Sequence, residues 1–212
     1  MLETPATSNM CFRQITPNSL LLLIGLVLLC LSACGPKVPT LHKSAPLPQE
    51  KICRIAIFPF VNETDYPQAG TIFYRIFIAE LARTGQFEVA QEGDIREVYR
   101  HLKIRPGQQP NIEQMKILGD RLGVRVVITG AVVEMTEVPK TKIVNPTLAV
   151  SLKIIDSWAD QTLWSTYHRR EGERYRKVMH FGVLNTVTSL AHQVSKEILE
   201  LWFMEGFKGC ID

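Results

Sequence analysis

No apolar run in the 212-residue chain reaches the roughly 20 residues that a membrane-spanning helix needs; the longest, Leu20 to Leu31, is about a dozen residues of Leu, Ile, Val, Gly and Cys. A large charge of one sign is also missing. The net charge is +3, too small to argue by itself for nucleic acid or an acidic membrane as a partner. No GxSxG, GxxxxGK[ST], HExxH or CxxC occurs, so a nucleophile elbow, a phosphate loop, a zinc helix and a redox pair all lack their signature. The five histidines, His42, His101, His168, His180 and His192, are scattered. His180 and His192 lie twelve apart, about 120° around a helix, and cannot chelate one ion from one face. No catalytic residue, metal ligand or cofactor site is assigned, and no internal repeat or low-complexity tract is found.

What is present begins at the N-terminus. An apolar stretch of about 7 to 15 residues, preceded by a positive charge and followed by small residues, has the pattern of a secretory signal peptide; Arg13 supplies the charge. Leu31-Ser32-Ala33-Cys34 resembles the bacterial lipobox. That resemblance implies cleavage between Ala33 and Cys34, a diacylglycerol on the Cys34 sulfur and fatty acyl chains, palmitate among them, on the new N-terminus. Acyl chains at about 0.8 kcal/mol per buried CH2 make such an attachment effectively permanent. Gly35, by the same resemblance, implies export onward to the outer membrane, facing the periplasm. An ordinary secreted protein cut near Ala33, or an uncleaved anchor, is the alternative. Translation starting at Met1 or at Met10 gives the same mature chain.

Three segments follow: a leader over 1–33, a proline-rich tether over 34–50 and one domain over 51–212. Pro36, Pro39, Pro46 and Pro48 make the tether extended and poorly packed, with a reach of about 50 Å at roughly 3.1 Å per residue. Cys34 to Asp212 is 179 residues, enough for one domain that buries about 70% of its unfolded surface. Cys11 and Cys30 leave with the leader, so Cys53 and Cys210 remain as a candidate disulfide in a compartment where such bonds persist. Two unpaired thiols are the alternative.

Cys53 to Phe60, with Ile55 and Ile57 alternating against Arg54 and Ala56, reads as a buried strand. A loop through Asn62, Glu63, Asp65, Pro67 and Gly70 follows, then a helix bearing Ile72, Ile76, Ile78, Ala79 and Leu81, stopped by Gly85. Gln86–Ala90 is a short strand. Asp94 caps a helix with Ile95, Val98, Tyr99 and Leu102; Asn111 caps another with Ile112, Met115, Leu118 and Leu122 inward, closed by Gly123. Arg125–Met135 reads as a central strand. Thr147–Asp156 and Thr162–Glu171 read as two antiparallel strands joined near Ala159 and Asp160. The last helix runs from Tyr175 to Phe203 with a stripe of Val183, Val187, Leu190, Val194, Ile198 and Leu201. The order β-α-β-α-α-β-β-β-α predicts an α/β fold, a mixed sheet with helices packed on it.

"RIAIFPFVNET", "TGQFEVAQEGDIREV", "GDRLGVRVVITGAVVEM" and "VSLKIIDSWADQTLWS", in that order, resemble the CsgG-like curli-secretion lipoproteins and their TolB N-terminal-domain relatives. The match spans about Ile52 to Leu201 and rests on strand and turn patterns. It implies a periplasmic, lipid-anchored, non-enzymatic protein: a secretion pore, an activator of peptidoglycan synthases, or a ring-forming lipoprotein of polysaccharide export. Pore formers carry long hairpins whose strands need about 9 to 11 residues each to enter a membrane. Between Val138 and Thr147 this chain offers only "PKTKIVNP", so no transmembrane barrel of its own is expected.

Two stretches stand out as candidate contact surfaces. Arg169, Arg170, Arg174, Arg176 and Lys177 crowd "HRREGERYRK", which suits an anionic polymer or a protein's acidic face, or is a solvated turn. Trp202, Phe203 and Phe207 extend the last helix's stripe and form either an exposed aromatic contact surface or part of the core. The expected function is a non-catalytic assembly or interaction factor in secretion, polysaccharide export or wall synthesis. Its partners would be the membrane, through the lipid, envelope proteins, and copies of itself, and not nucleic acid. The alternatives are an envelope hydrolase using Glu63 and Asp65, which needs two carboxylates about 5 to 10 Å apart in a cleft, and a ligand-binding periplasmic sensor, which needs an apolar pocket at the strand ends.

Overall fold

A computed structural model describes residues 38–105, 107–140, 143–176 and 182–210. The leader, Ala33 and Cys34 lie outside the described residues, as does Lys177. Seven strands form one sheet: β1 (Thr40–Lys43), β2 (Arg54–Ile57), β3 (Val61–Asn62), β4 (Glu88–Val89), β5 (Val126–Lys140), β6 (Ile143–Asp156) and β7 (Gln161–Glu171). Among the described residues four helices accompany them: α1 (Ala69–Arg83), α2 (Glu92–His101), α3 (Ile112–Leu122) and α4 (Val187–Met204), with a 3-10 turn at Gly172–Tyr175. The strand order is β1-β7-β6-β5-β2-β4, with β3 beside β5. β2 lies parallel to β4 and β5, while β5, β6, β7 and β1 are antiparallel neighbours. The fold is a mixed α/β sheet with helices packed on it.

Parity along the strands decides which side chains are buried. Val126, Ile128 and Val132 of β5 and Leu148, Val150, Leu152 and Ile154 of β6 point to one face, where α1 and α4 cover them. Ala56, Phe58 and Val127 point to the other and meet Ile95, Val98, Leu118 and Leu122 of α2 and α3. Gly70 lets α1 approach β3, since a Cβ there would collide with the Phe60 carbonyl. Gly123 ends α3 at φ 63°, a conformation that favours glycine. Asn111 caps α3 with a reciprocal pair of hydrogen bonds to Gln114.

Five expectations need correction. The 34–50 segment is not loosely packed throughout: Thr40–Lys43 pairs with β7, and Leu41, Ala45 and Leu47 pack against the main core. Val138 and Thr147 are not the ends of the central hairpin. β5 and β6 run on through Lys140 and Ile143, pairing Glu137 with Pro146 and Lys140 with Ile143, because two prolines in an otherwise unflanked hairpin leave no ladder on a third strand to disturb. The last helix starts at Val187, not Tyr175: Gly182 sits at φ 85°, and Thr186 is the N-cap, its hydroxyl accepting from the Ser189 amide. Gln91, not Asp94, precedes α2, and Asp94 sits in its first turn, favourable to the helix dipole. Ile112, in the first turn of α3, is 66% exposed.

Cys53, at the start of β2, and Cys210, beyond α4, are joined as a disulfide with Cα atoms 4.7 Å apart. Among the described residues no helix is long and apolar enough to cross a membrane.

Candidate interaction surface

β7 carries Arg169 and Arg170 of the basic run and sorts its residues by parity. Trp164, Thr166, His168 and Arg170 point inward; Ser165, Tyr167 and Arg169 point outward. Inward, His168 and Arg170 meet Glu197 of α4. Its carboxylate lies 2.5 Å from His168 Nε2 and accepts hydrogen bonds from Arg170 Nε at 2.8 Å, Tyr175 Oη at 2.8 Å and Gln193 Nε2 at 3.2 Å. Burial disfavours the Glu197 anion, but these four partners outweigh it and hold its carboxyl down at about 2. Burial and the Glu197 carboxylate push the Tyr175 hydroxyl in the opposite direction, far above its ordinary range.

Arg170 is therefore a structural cation, its side chain only 10% exposed, and not a contact for a partner. Arg169 faces outward yet is held too, by Glu134 at 2.8 Å and Glu171 at 2.7 Å. Those hydrogen bonds raise its already high pKa further. Arg176 pairs with Glu173 at 2.9 Å, and Arg174 is exposed. The basic run is thus mostly neutralised where it stands.

The aromatic candidates are corrected in the same direction. Trp202 is fully buried, stacks edge-on against Phe77 and donates from Nε1 to Thr166 Oγ1 at 2.7 Å. Phe203 lies on the Phe87 ring, and Phe207 is buried between Phe87, Trp164 and Trp202. The helix C-terminus folds these rings back onto the sheet near the disulfide, so Trp202 presents no contact surface and Phe203 is left only partly exposed beside the cleft at Ile52 and Gln86. Trp158 does stay out, 53% exposed on the β6–β7 turn with the Arg125 guanidinium over its ring at 5.4 Å.

The loop after β3 is organised by Asn62. Its Oδ1 accepts from the Thr64 amide and hydroxyl, and its Nδ2 donates to the Tyr66 carbonyl. Glu63 and Asp65 are both exposed on it rather than set in a cleft. Two clefts of about 530 and 520 Å3 lie at the opposite end of the sheet, one beside Lys43, Trp164 and Glu205, the other beside Ile52, Gln86 and Lys208. Among the described residues no group of three His, Cys, Asp or Glu side chains is placed to hold a metal ion.

What remains is the outward face of β1, β7 and β6, which α2 and α3 do not reach. Register places Thr40, Tyr167 and Ser151 in one row and His42, Ser165 and Lys153 in the next. Tyr167 is 45% exposed, and Val133, at the β5 bulge, 39%. An antiparallel sheet with one face on the core and the other polar and open follows from this alternation. Sequence reasoning missed this face because it weighed charge density along β7 instead of its parity. The i, i+2 spacing of Trp164, Thr166, His168 and Arg170 was the signal that could have found it.

No protein-family model matches the sequence, and neither does any curated protein. Solved structures resemble the chain, two of them as follows. A PelC dodecamer from Paraburkholderia phytofirmans aligns at a TM-score of 0.51 and 18% identity, over 76% of this chain and 96% of that one. Lipoprotein GNA1162 from Neisseria meningitidis aligns at 0.51 and 15%, over 72% and 99%. The likeness is one of fold. It agrees with the wider resemblance drawn from the sequence at that level, and not with its curli-secretion branch in particular.

Proposed function

We propose that the chain is a lipid-anchored, non-catalytic envelope protein that works by assembling with copies of itself, and through that assembly with machinery for secretion, polysaccharide export or wall synthesis. The lipid sits on Cys34, and the domain faces the periplasm from the outer membrane. The observation that carries the reading is the open half of the sheet: a polar face with Tyr167 and Val133 exposed, beside a core that takes in Trp202 and Arg170. A dodecamer among the structures of similar fold supports self-association as the mode.

The hydrolase alternative loses its footing, because Glu63 and Asp65 are exposed and line neither of the two clefts. The sensor alternative is disfavoured because those clefts are partly charged and lie away from the C-terminal ends of the parallel strands. Two experiments test the proposal. Cys34→Ser should give a folded domain that no longer fractionates with membranes; retention of the variant in the membrane pellet would count against the anchor. The mass of the detergent-solubilised protein should be a multiple of the chain mass, and a strict monomer would overturn self-association.

A further inference from the structure

The cleft beside Ile52, Gln86 and Lys208 has two fixed walls. One is the segment through Leu47, Lys51 and Ile52 that enters β2; the other is the tail from Gly206 to Gly209, beyond α4. Leu47 packs against the main core. The Gly209 amide donates to Gln86 Oε1 at 3.2 Å, and its backbone lies so close to the Gln86 carbonyl that a Cβ would collide with it. Cys53 and Cys210 follow Ile52 and Gly209 directly, so the disulfide ties the two walls together at their ends. The space between them is about 520 Å3, with the half-buried Phe203 ring in its lining.

The charge of this cleft is one-sided. Lys51 and Lys208 are exposed, and among the described residues neither side chain has an ion pair or a hydrogen bond. Glu50, the carboxylate in the lining, is held by Arg125 Nη1 at 3.2 Å. The complement stands at the other end of the same strands. Glu63 and Asp65 are exposed two residues apart on the loop that Asn62 organises, and among the described residues neither carboxylate has a partner. Glu88, Glu92 and Glu205, by contrast, are paired with Arg54, Arg96 and Lys43. Ile55 lies beside Val126 of β5 and Asn62 beside Val132, six residues further along, or about 20 Å. Lys51 and Glu63 lie beyond those two points in opposite directions, so these acids are out of reach of their own chain's lysines.

We propose that the acidic loop of one copy seats in the basic cleft of the next, with Glu63 and Asp65 meeting Lys51 and Lys208. The inference rests on the self-assembly proposed for the chain and adds a second contact to it, one that joins opposite ends of the domain. Such a contact is heterologous: it closes into a ring or runs on as a filament. Walls fixed by the disulfide and a loop fixed by Asn62 lose little freedom on docking. Exposed ion pairs contribute modestly one by one, so the contact gives the assembly its direction. Reversing one side sets like charges face to face, which costs more than losing the pairs.

The test uses the full acylated chain in detergent. Lys51→Glu with Lys208→Glu, and separately Glu63→Lys with Asp65→Lys, should each lower the mass of the assembly several-fold while the urea midpoint stays at the parent's, since all four side chains are exposed. Co-expressing the two double variants sets opposite charges across every contact again, as does placing all four substitutions in one chain. Both should recover the parental mass. An unchanged mass in either double variant, or a missing recovery in the co-expressed pair or the fourfold variant, would overturn the head-to-tail contact and leave self-association through the open sheet face standing. A parent chain that is itself monomeric would refute self-association and this contact together.

Discussion

The two sides of β7 are built from the same text and have opposite fates. On the inner side, His168 and Arg170 are buried against Glu197, Thr166 accepts from Trp202, and Trp164 packs on Phe207. On the outer side, one residue away, Tyr167 and Arg169 meet solvent. Polar residues on the inner side hold the fold together; those on the outer side face solvent. A run of charge is thus not a surface until strand parity has divided it.

Breaking the inner side should have the larger consequences. Trp202→Ala removes a fully buried ring and leaves Thr166 without its partner, for a loss of about 3–5 kcal/mol, read as a fall in the urea midpoint. A variant within about 1 kcal/mol of the parent would show that the ring is not core. Replacing Cys53 and Cys210 by serine opens a link between residues 157 apart and should cost about 2–5 kcal/mol; an unchanged melting temperature would mean the link contributes nothing.

Glu197→Gln comes next. The carboxyl is held near 2 in the fold against an ordinary value of 4.5, so its contribution, on the order of 3 kcal/mol, is present above about pH 4.5. Because the folded value is the lower one, that contribution is lost as pH falls from there toward about 2. Glu197→Gln should therefore destabilise the protein at neutral pH and flatten its stability profile in the acid range. A profile parallel to the parent's would remove Glu197 from this role.

On the outer side the same measurement should barely move. Arg169→Ala breaks partly exposed ion pairs worth about 1 kcal/mol or less, and Tyr167→Ala should stay within about 0.5 kcal/mol of the parent. Both should nonetheless reduce the mass of the detergent-solubilised assembly. A Tyr167→Ala protein as unstable as Trp202→Ala would erase the contrast between the sides.

Much of this fold was legible because its signals are periodic. Leu148, Val150, Leu152 and Ile154 alternate, and Leu190, Val194, Ile198 and Leu201 keep helical spacing. The elements that escaped were those whose partners are distant. Thr40–Lys43 contains one clearly apolar residue, Leu41, and becomes a strand only because β7 offers it an open edge. "PKTKIVNP" reads as a loop by its prolines, yet Pro139, Lys140 and Ile143 to Pro146 extend the hairpin where no third strand calls for the N–H that a proline lacks. Among the site candidates, Trp202 and Arg170 were visible as residues, but their role was set by Thr166 and Glu197, 36 and 27 positions away. Local text holds no record of such pairings.

The most direct test places a photo-crosslinking residue at Tyr167, on the open sheet face, and separately at Ile117, 40% exposed on α3, in acylated protein on membranes. The account predicts adducts at multiples of the chain's own mass from position 167 and none from 117. Self-adducts arising only from 117, or from neither position, would contradict it.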